Sequence, residues 1–332
     1  MTNILAKLFR HQSLSATEAE NILLEIANGK YSDYEVTAFT TVYLMRSITL
    51  PELQGFRNAL LQLAIPCKLV ATNSIDIVGT GGDGKNTFNI STLACFVVAG
   101  AGGTIIKHGN YSASSVSGSS NVLEQLGYRF SNNEAKLQNE LDKIGICFLH
   151  APLFHPALKR VAPMRKNLAV RTFFNMLGPL VNPARPSYQL IGTGTLEIAR
   201  LYNYLLQQTE ENYTIIHGLD GYDEISLTAD TKFITPAGEN IYDSVYLGGR
   251  EVFGEDLSVG SSVDDAAALF LQILQGQGTW AQNAVVLANA AAAIHGAGLS
   301  STYQQAYQQA VESLESKAAL EKFTQLMNLQ TI

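Results

Sequence analysis

A glycine-rich loop directly follows an apolar segment near residue 80. The segment Ile75–Val78 has the pattern of a buried strand, and residues 79–86 after it read GTGGDGKN. Glycine lets backbone N–H groups approach a phosphate closely, and a helix predicted to begin near Asn89 adds a favourable dipole. A tight turn without a ligand is the alternative. We interpret the segment as a phosphate-binding loop because its glycines are dense and follow a strand.

Two nucleotide-binding motifs match this loop only by their letters. A dinucleotide site with GxGxxG requires an acidic residue about twenty positions later, but no Asp or Glu occurs between Asp83 and Glu124. The GxxxxGK[ST] loop requires a hydroxyl where Asn86 stands, and Asp83 would repel the phosphates. A nucleoside triphosphatase, with Tyr213–Asp220 as its Walker B strand, stays open as an alternative.

The acid-free stretch after the loop has a further implication. Between Asp83 and Glu124 the chain carries Lys85, Lys107 and His108 and is rich in Ser, Thr, Asn and Gly. Such a stretch can surround a highly anionic ligand without repelling it. We therefore expect the ligand to carry several negative charges.

Three polar segments in this stretch are candidates for contacting the anion. Asn89–Thr92 (NIST) lies at a predicted helix start, where N-capping alone is the alternative. Lys107–Asn110 (KHGN) comes straight after an apolar strand, a position at which α/β folds place ligand contacts. The serine and glycine residues at 114–119 lead into a helical pattern. This arrangement predicts a second anion-binding loop before a helix.

An acidic pair lies far from these loops in the sequence. Asp223 and Glu224 follow the apolar strand Tyr213–Ile216 and the glycine Gly221. Oxygen ligands of this kind suit a hard cation such as Mg²⁺, although an isolated acidic pair is more often a solvated turn. The sequence predicts a magnesium site at this strand end.

Two further side chains have less specific patterns. Arg165 could form a bidentate pair with a substrate carboxylate, but an arginine beside Lys166 is also a common surface or phosphate contact. His155 before Pro156 is, from its surroundings alone, a capping or packing residue.

The elements that must position these residues fall into two parts. Residues 1–65 form a small helical unit, because three capping boxes each precede apolar residues at helical spacing: Ser15 with Glu18, Ser32 with Glu35, and Thr49 with Glu52. From Ser74 onward, strands alternate with helical stretches, which indicates an α/β domain. The predicted strands are Ile75–Val78, Thr104–Ile106, Ile146–Leu149 and Tyr213–Ile216.

Composition excludes several classes of protein. Of 332 residues, 46% are hydrophobic and only 15% are charged, which argues against disorder. A formal charge of −7 disfavours a nucleic-acid binder. Cys67, Cys95 and Cys147 lack ligand spacing and are expected to be reduced and buried. Without a signal-peptide pattern or a run long enough to span a bilayer, the chain is expected to be cytoplasmic and not membrane-bound.

The motifs together resemble those of the anthranilate phosphoribosyltransferases. The resemblance rests on GTGGD, NIST, KHGN and the serine-glycine run, and on RKNLAVRTFFNMLGPLVNP at 165–183 and HGLDGYDEIS at 217–226. It covers nearly the whole chain. It implies a small helical domain at 1–70, joined by helices from about 165–190, and a large α/β domain at 71–332. The large domain would have a central mixed sheet flanked by helices, of the nucleoside phosphorylase and phosphoribosyltransferase type.

The resemblance also implies roles for individual residues. Phosphoribosyl pyrophosphate (PRPP) would be bound by Gly79, Gly82, Asp83, Thr87, Asn89, Ile90, Ser91, Thr92, Lys107, His108, Gly109, Asn110, Tyr111, Ser112, Ala113, Ser114, Ser115 and Ser119. Anthranilate would contact Gly79, Asn110, His155, Arg165 and Gly178, and Mg²⁺ would be held by Ser91, Asp223 and Glu224. No residue is assigned as an acid or base. A homodimer through the helical domain is implied as well.

Four positions depart from the family pattern. Tyr111 stands where an arginine is common, Val116 replaces a lysine, Asn121 an aspartate and Ala169 a glycine. Two cations are thereby lost near the expected phosphates, whereas the magnesium ligands and Arg165 are kept. Besides the transferase and the nucleotide hydrolase, a pyrimidine nucleoside phosphorylase and a non-catalytic nucleic-acid-binding relative stay open as alternatives.

Overall fold

The helices begin where the sequence supplies hydroxyl or amide caps. In the computed structural model, which describes residues 1–112, 117–168 and 170–330, the Ser15 and Ser32 hydroxyls accept from the backbone N–H of Glu18 and Glu35. The Glu52 carboxylate accepts from the Thr49 N–H at 2.9 Å. A helix starts directly after each of these caps, so the three predicted helix starts are confirmed.

The elements follow one another in a largely alternating order. The helices are α1 (Thr2–Phe9), α2 (Ala16–Ala27), α3 (Asp33–Met45), α4 (Leu50–Leu63), α5 (Ile90–Gly100), α6 (Ser119–Gln125), α7 (Glu134–Ile144), α8 (Ala151–Phe154), α9 (Ala162–Leu168), α10 (Leu196–Leu206), α11 (Ser244–Gly248), α12 (Val263–Leu274), α13 (Trp280–Gly296), α14 (Tyr303–Glu315) and α15 (Ala318–Asn328). The strands are β1 (Ser74–Gly79), β2 (Thr104–Gly109), β3 (Ile146–His150), β4 (Tyr188–Gly192), β5 (Asn212–Gly218), β6 (Thr231–Thr235) and β7 (Gly238–Tyr242). Short 3₁₀ turns occupy Pro156–Arg160, Phe173–Met176, Gly178–Leu180 and Gly254–Leu257.

The chain divides into two units, of which the first is helical. It comprises Met1–Cys67 and Ala151–Arg185. Its core is aromatic: the rings of Phe56 and Phe173 stack with centroids 4.6 Å apart, and Phe39 packs edge-on against both. Stacked and edge-on pairs of this kind add to the stabilisation from burial alone. The segment after Ala151 is therefore part of the helical core, although it is distant in sequence.

The second unit comprises Lys68–His150 and Pro186–Ile332, described as far as residue 330, and is built on one sheet. The strand order is β3-β2-β1-β4-β5-β6-β7. The first five strands are parallel, and β6 and β7 are antiparallel to their neighbours. The predicted mixed sheet is thus confirmed. The buried, alanine-rich α13 and the apolar α5 lie at the centre of the core.

The sheet determines where a ligand can bind. The chain passes from β1 to β2 on one side, and β4 lies on the other side of β1. Ligands of open α/β sheets bind beyond the carboxyl ends of the strands at such a switch point. A ligand site is therefore expected at the carboxyl ends of β1, β2, β4 and β5. In the described part of the chain, no helix is long and apolar enough to cross a membrane.

Candidate active site

The glycine loop begins at the carboxyl end of β1 in a left-handed backbone conformation. Gly81, Gly82 and Gly84 have φ values of 64°, 67° and 79°, a region that residues with side chains rarely adopt. The Gly81 N–H donates to the Asp223 carboxylate at 2.6 Å. The loop after β1 and the acidic pair after β5 are therefore in direct contact, although 142 residues separate them.

Asp223 is packed between the ends of β1 and β4. A Cβ on Gly79 would lie 2.5 Å from the Asp223 carboxylate, and a Cβ on Gly192 only 1.6 Å from its backbone carbonyl oxygen. Gly79 and Gly192 are direct partners in the parallel ladder. The absence of a side chain at both positions is what allows the acidic segment to approach the sheet.

Glu224 is held by the start of α5. Its carboxylate accepts from the Ser91 N–H at 3.0 Å and from the Thr87 hydroxyl at 3.4 Å. Burial, reinforced by the negative charges of Asp223 and Asp83, raises the pKa of Glu224 to about 8. A bound cation would stabilise the ionised form of these buried carboxylates, which repel one another without it.

The acidic residues are suitable ligands for a magnesium ion whose other ligands would be water and substrate phosphates. Among the residues that the structure describes, no three His, Cys, Asp or Glu side chains form a complete cage for a metal ion. Mg²⁺ is usually held by one or two carboxylates together with water and substrate phosphates, so a complete cage is not expected. Asp223 and Glu224, beside Ser91 at the start of α5, fit such a site.

The KHGN segment forms the end of β2. Lys107 is buried, and its ammonium donates to the backbone carbonyl of Ile77 in the adjacent strand. Its charge lowers the pKa of Glu224, which counters part of the effect of burial. The His108 N–H donates to the fully buried Asp76 at 3.3 Å. Lys107 is therefore near enough to Glu224 for its charge to act on that carboxylate.

The second loop is tied together by two asparagines. The Asn121 side chain accepts from the N–H groups of Ser112 and Gly118, both at 3.0 Å, so it performs the capping that an aspartate could perform. The Asn89 amide donates to the Ser117 carbonyl at 3.3 Å and thereby joins the start of α5 to this loop. The predicted contacts Ala113, Ser114 and Ser115, and the departures Val116 and Ala169, lie outside the described residues.

Tyr111 links the end of the KHGN segment to α6. Its hydroxyl donates to the Glu124 carboxylate on α6, with distances of 2.8 and 2.9 Å to the two oxygens. Its ring meets His150 edge-on at 4.6 Å. At this position the tyrosine therefore anchors the KHGN segment to α6 without adding a positive charge.

The helical unit carries the remaining predicted residues. Arg165 lies on α9, with its guanidinium 5.5 Å from the Phe174 ring and 3.4 Å from the Asn175 side-chain oxygen. Burial lowers its pKa. The ring of His155 is hydrogen-bonded to the Val181 carbonyl at 2.9 Å, and burial lowers its pKa as well. A Cβ on Gly178 would meet nothing within 4 Å, so the space beside it is open.

Sequence reasoning missed the end of β4. Gly192, Thr193 and Gly194 follow residues Tyr188–Ile191 of β4, and Gly194 approaches Asp83. The available signal was the triplet GTG itself, which repeats residues 79–81 after a second strand. The site therefore has a glycine-lined strand end on each side of Asp223.

Comparison with known proteins places the chain in a family. Residues 71–320 match the glycosyl transferase family, a/b domain, and residues 2–64 match the helical bundle domain of the same family. The chain is 54% identical over 329 residues to the anthranilate phosphoribosyltransferase of Flavobacterium psychrophilum, with 99% of each chain covered. The corresponding protein of Bacteroides thetaiotaomicron is 52% identical, with 99% of this chain and 100% of that protein covered.

Solved structures agree with this placement. The anthranilate phosphoribosyltransferase of Thermus thermophilus superposes with a TM-score of 0.91 at 29% identity, with 99% of both chains covered. The Saccharomyces cerevisiae enzyme in complex with PRPP and Mg superposes with a TM-score of 0.90 at 25% identity, covering 98% of this chain and 96% of that one. The shared fold, the match to both domains and the identity over the full length lead to one conclusion: the chain belongs to the anthranilate phosphoribosyltransferase family.

Proposed function

We propose that this chain transfers the 5-phosphoribosyl group of PRPP to the amine of anthranilate, giving N-(5-phosphoribosyl)anthranilate and pyrophosphate, a step of tryptophan biosynthesis. The observation that carries the proposal is the contact between the glycine loop and Asp223, with Lys107 close to Glu224. These groups supply what a polyphosphorylated sugar needs, namely N–H donors, a cation and carboxylates for a metal.

The larger unit would bind PRPP through its two loops. The proposed contacts are Gly79, Gly82, Asp83, Thr87, Asn89–Thr92, Lys107–Ser112 and Ser119, together with Ala113, Ser114 and Ser115. The glycine loop and the start of α5 would direct backbone N–H groups toward phosphate oxygens. The acid-free composition of this part of the chain supports the assignment, because only Asp83 places a carboxylate in the glycine loop.

Magnesium would be held by Ser91, Asp223 and Glu224. When bound, Mg²⁺ neutralises negative charge on the pyrophosphate oxygens. Asp223 is fixed by the Gly81 N–H, and Glu224 by the Ser91 N–H, so neither carboxylate has to be ordered when the ion enters. The raised pKa of Glu224 supports this role, since a neighbouring cation would favour its ionised form.

Anthranilate would be oriented by its carboxylate on Arg165, with Gly79, Asn110, His155 and Gly178 as further contacts. Arg165 is a partly desolvated cation whose described hydrogen bond goes to the neutral amide of Asn175. A substrate carboxylate would form a charge-assisted bidentate pair with it. The burial of His155 keeps its imidazole neutral, which suits packing against an aromatic ring.

The reaction requires orientation more than acid–base chemistry. The C1–O bond to pyrophosphate breaks through an oxocarbenium-like transition state, and the anthranilate nitrogen forms the new bond to C1. An aryl amine is neutral at pH 7, and the proton it loses after attack can pass to solvent or pyrophosphate. Loop N–H groups and Lys107 would stabilise the leaving pyrophosphate as its charge develops. The residues of the proposed site supply binding and electrostatics, as this scheme requires.

A fluorescence assay tests the proposal directly. Purified protein should remove anthranilate fluorescence only when both PRPP and Mg²⁺ are present, with one pyrophosphate released for each anthranilate consumed. Phosphorolysis of uridine or thymidine in place of this reaction would support the pyrimidine nucleoside phosphorylase alternative. No turnover with either substrate pair would overturn the proposal.

We also propose that the protein is a cytoplasmic homodimer that pairs through its helical unit. Large apolar side chains are exposed there: Phe9 is 64% accessible and Met45 is 85% accessible. Burial of these side chains against a second copy of the chain would be favourable. Light scattering should give a mass of two chains, and Met45→Lys should shift it toward one chain if this surface is the interface.

A further inference from the structure

One polar side chain lies inside the alanine-rich stretch of α13. Asn289 is the single polar residue between Val285 and Ile294, and it is 1% accessible. An amide in such surroundings is costly unless its donors and its acceptor are paired. An alanine, as at the four positions that follow, would avoid this requirement. The hydrogen-bond partners of Asn289 therefore indicate why an amide stands here.

The Asn289 amide pairs with the backbone of Ile225 in both directions. Its oxygen accepts from the Ile225 N–H at 3.1 Å, and its NH₂ group donates to the Ile225 carbonyl at 2.9 Å. The same NH₂ group donates to the Val285 carbonyl, one turn earlier in α13, at 2.8 Å. These three bonds fix the orientation of the amide, because exchanging its oxygen and nitrogen would place like groups opposite one another. Asn289 thus joins the acidic segment to a buried helix.

Ile225 directly follows Glu224 and lies outside regular secondary structure. β5 ends at Gly218, and Ile225 is fully buried. Among the described residues, Asn289 is the hydrogen-bond partner of both its backbone polar groups. The Ile225 N–H belongs to the same planar peptide group as the Glu224 carbonyl. A hydrogen bond to this N–H therefore fixes the backbone that carries the Glu224 side chain.

The end of the acidic segment has a strained backbone. Leu227 is fully buried and has a φ of 60°, a left-handed conformation that leucine rarely adopts. Its carbonyl accepts from the Val252 N–H at 2.9 Å, and its side chain occupies the space that a Cβ on Gly248 would need. Strain of this kind persists only where the surroundings impose the backbone shape. The path of residues 223–227 is therefore imposed by the core that contacts it.

We propose that Asn289 is a positioning residue for the magnesium carboxylates, because it fixes the backbone from which Glu224 reaches the start of α5. This inference rests on the proposed function. Asn289 acts through Ile225, whereas the Ser91 N–H holds the Glu224 carboxylate itself at 3.0 Å. Without the hydrogen bonds to Ile225, the strained segment can relax, and the carboxylate loses its fixed place beside Ser91.

Asn289→Ser is the most selective variant. A serine can still donate to the Val285 carbonyl four residues earlier, but it is too short to reach Ile225. The Mg²⁺ concentration for half-maximal rate should rise by at least about five-fold, the usual effect of one hydrogen bond, while the KM for anthranilate stays within about two-fold. An unchanged Mg²⁺ requirement in this variant overturns the proposal.

Ser313→Ala is the matched control. It removes the buried hydrogen bond of 2.7 Å from the Ser313 hydroxyl to the Val97 carbonyl, in the same core but away from the acidic segment. Its Mg²⁺ requirement should stay within about two-fold of the wild type. A rise equal to that in Asn289→Ser would assign both effects to general loss of core stability and would overturn the proposal. Thermal unfolding of both variants establishes that they are folded.

A mutant cycle tests whether Asn289 acts through Glu224. The Glu224→Gln variant has already lost the carboxylate that Asn289 is proposed to position. Adding Asn289→Ser to it should therefore raise the Mg²⁺ requirement by less than about two-fold. If Asn289→Ser has the same effect with Glu224 and with Gln at that position, the two residues are independent and the proposal fails.

Hydrogen exchange measured by mass spectrometry provides a readout that needs no turnover. Wild-type peptides that cover residues 222–228 should exchange slowly, because the Ile225 N–H is buried and hydrogen-bonded. In Asn289→Ser their exchange should be at least about five-fold faster, with β3 peptides unchanged. Fast exchange of this segment in the wild type, or equal exchange in the variant, overturns the proposal. A wild type without Mg²⁺-dependent turnover would instead refute the transferase proposal, and hydrogen exchange would still decide whether Asn289 holds the segment.

Discussion

The glycine at the end of β4 offers the sharpest test of how the active site is positioned. In Gly192→Ala, the new methyl group would lie 1.6 Å from the Asp223 carbonyl oxygen and 2.7 Å from its carbonyl carbon. Both are backbone atoms, so no side-chain rotation can relieve the overlap. The Asp223 backbone would have to move by roughly 2 Å to reach ordinary contact in a close-packed interior.

The expected effect follows from that displacement. The movement would carry Asp223 and Glu224 away from the Gly81 and Ser91 N–H groups that hold them. Misplacement of a catalytic arrangement by about 1 Å can cost about 100-fold in rate, so kcat/KM should fall by at least that factor. Overpacking should also lower the free energy of unfolding by about 1–3 kcal/mol. The assay is steady-state loss of anthranilate fluorescence at saturating Mg²⁺, with thermal unfolding measured alongside.

Gly194→Ala is the matched control. It lies two residues further along, and its Cβ would come no closer than 3.4 Å to Asp83, an ordinary contact. This variant should keep kcat/KM within about three-fold of the wild type, which corresponds to less than 1 kcal/mol. The reasoning is refuted if Gly192→Ala keeps full activity, or if both variants lose activity equally.

Three further variants test other parts of the molecule. Arg165→Ala should raise the KM for anthranilate by about 10- to 100-fold through loss of a charge-assisted pair, with a much smaller change in the KM for PRPP; equal constants in mutant and wild type would contradict this. Glu224→Gln should raise the Mg²⁺ concentration for half-maximal rate by at least about ten-fold, measured by magnesium titration, because a neutral amide is a weaker ligand. In the helical unit, the buried Glu52 pairs with Arg46 and accepts from the Leu14 N–H at 3.0 Å, so Glu52→Ala should cost about 3 kcal/mol in urea unfolding. Desolvation of Glu52 is outweighed by these hydrogen bonds, so the pKa of Glu52 is lowered from its ordinary value of 4.5. Its contribution to the free energy of unfolding is therefore present above pH 4.5 and is lost as the pH falls below that value. If the stability of the wild type does not decrease more steeply than that of Glu52→Ala between about pH 5 and about 3, this reasoning is contradicted.

Local patterns identified many of the elements. The caps at Ser15, Ser32 and Thr49 act within four residues, so their helices could be predicted without knowledge of the fold. The four predicted strands lie within β1, β2, β3 and β5. The family and the mixed-sheet fold predicted from the motifs are likewise confirmed. The assignment of single residues to PRPP, anthranilate and magnesium stays a prediction.

The missed strands have a physical explanation. β4 is five residues long, with Gln189 inside it and Pro186 just before it, so its pattern resembles that of a loop. It is a strand because β1 and β5 pair with it on both sides. The edge strand β7 has little apolar character and is defined by its pairing with β6. Local sequence does not record such pairings between distant segments.

The amino-acid sequence by itself determined the chemical inventory: a glycine loop after a strand, a long stretch without carboxylates and an acidic pair after another strand. Those properties are local, because they depend on residue types and on backbone preferences over a few positions. Only the tertiary structure decided that Asp223 lies against Gly79 and Gly192, at the ends of two neighbouring strands. Such contacts depend on the order in which the strands pair, which is set by packing over the whole unit.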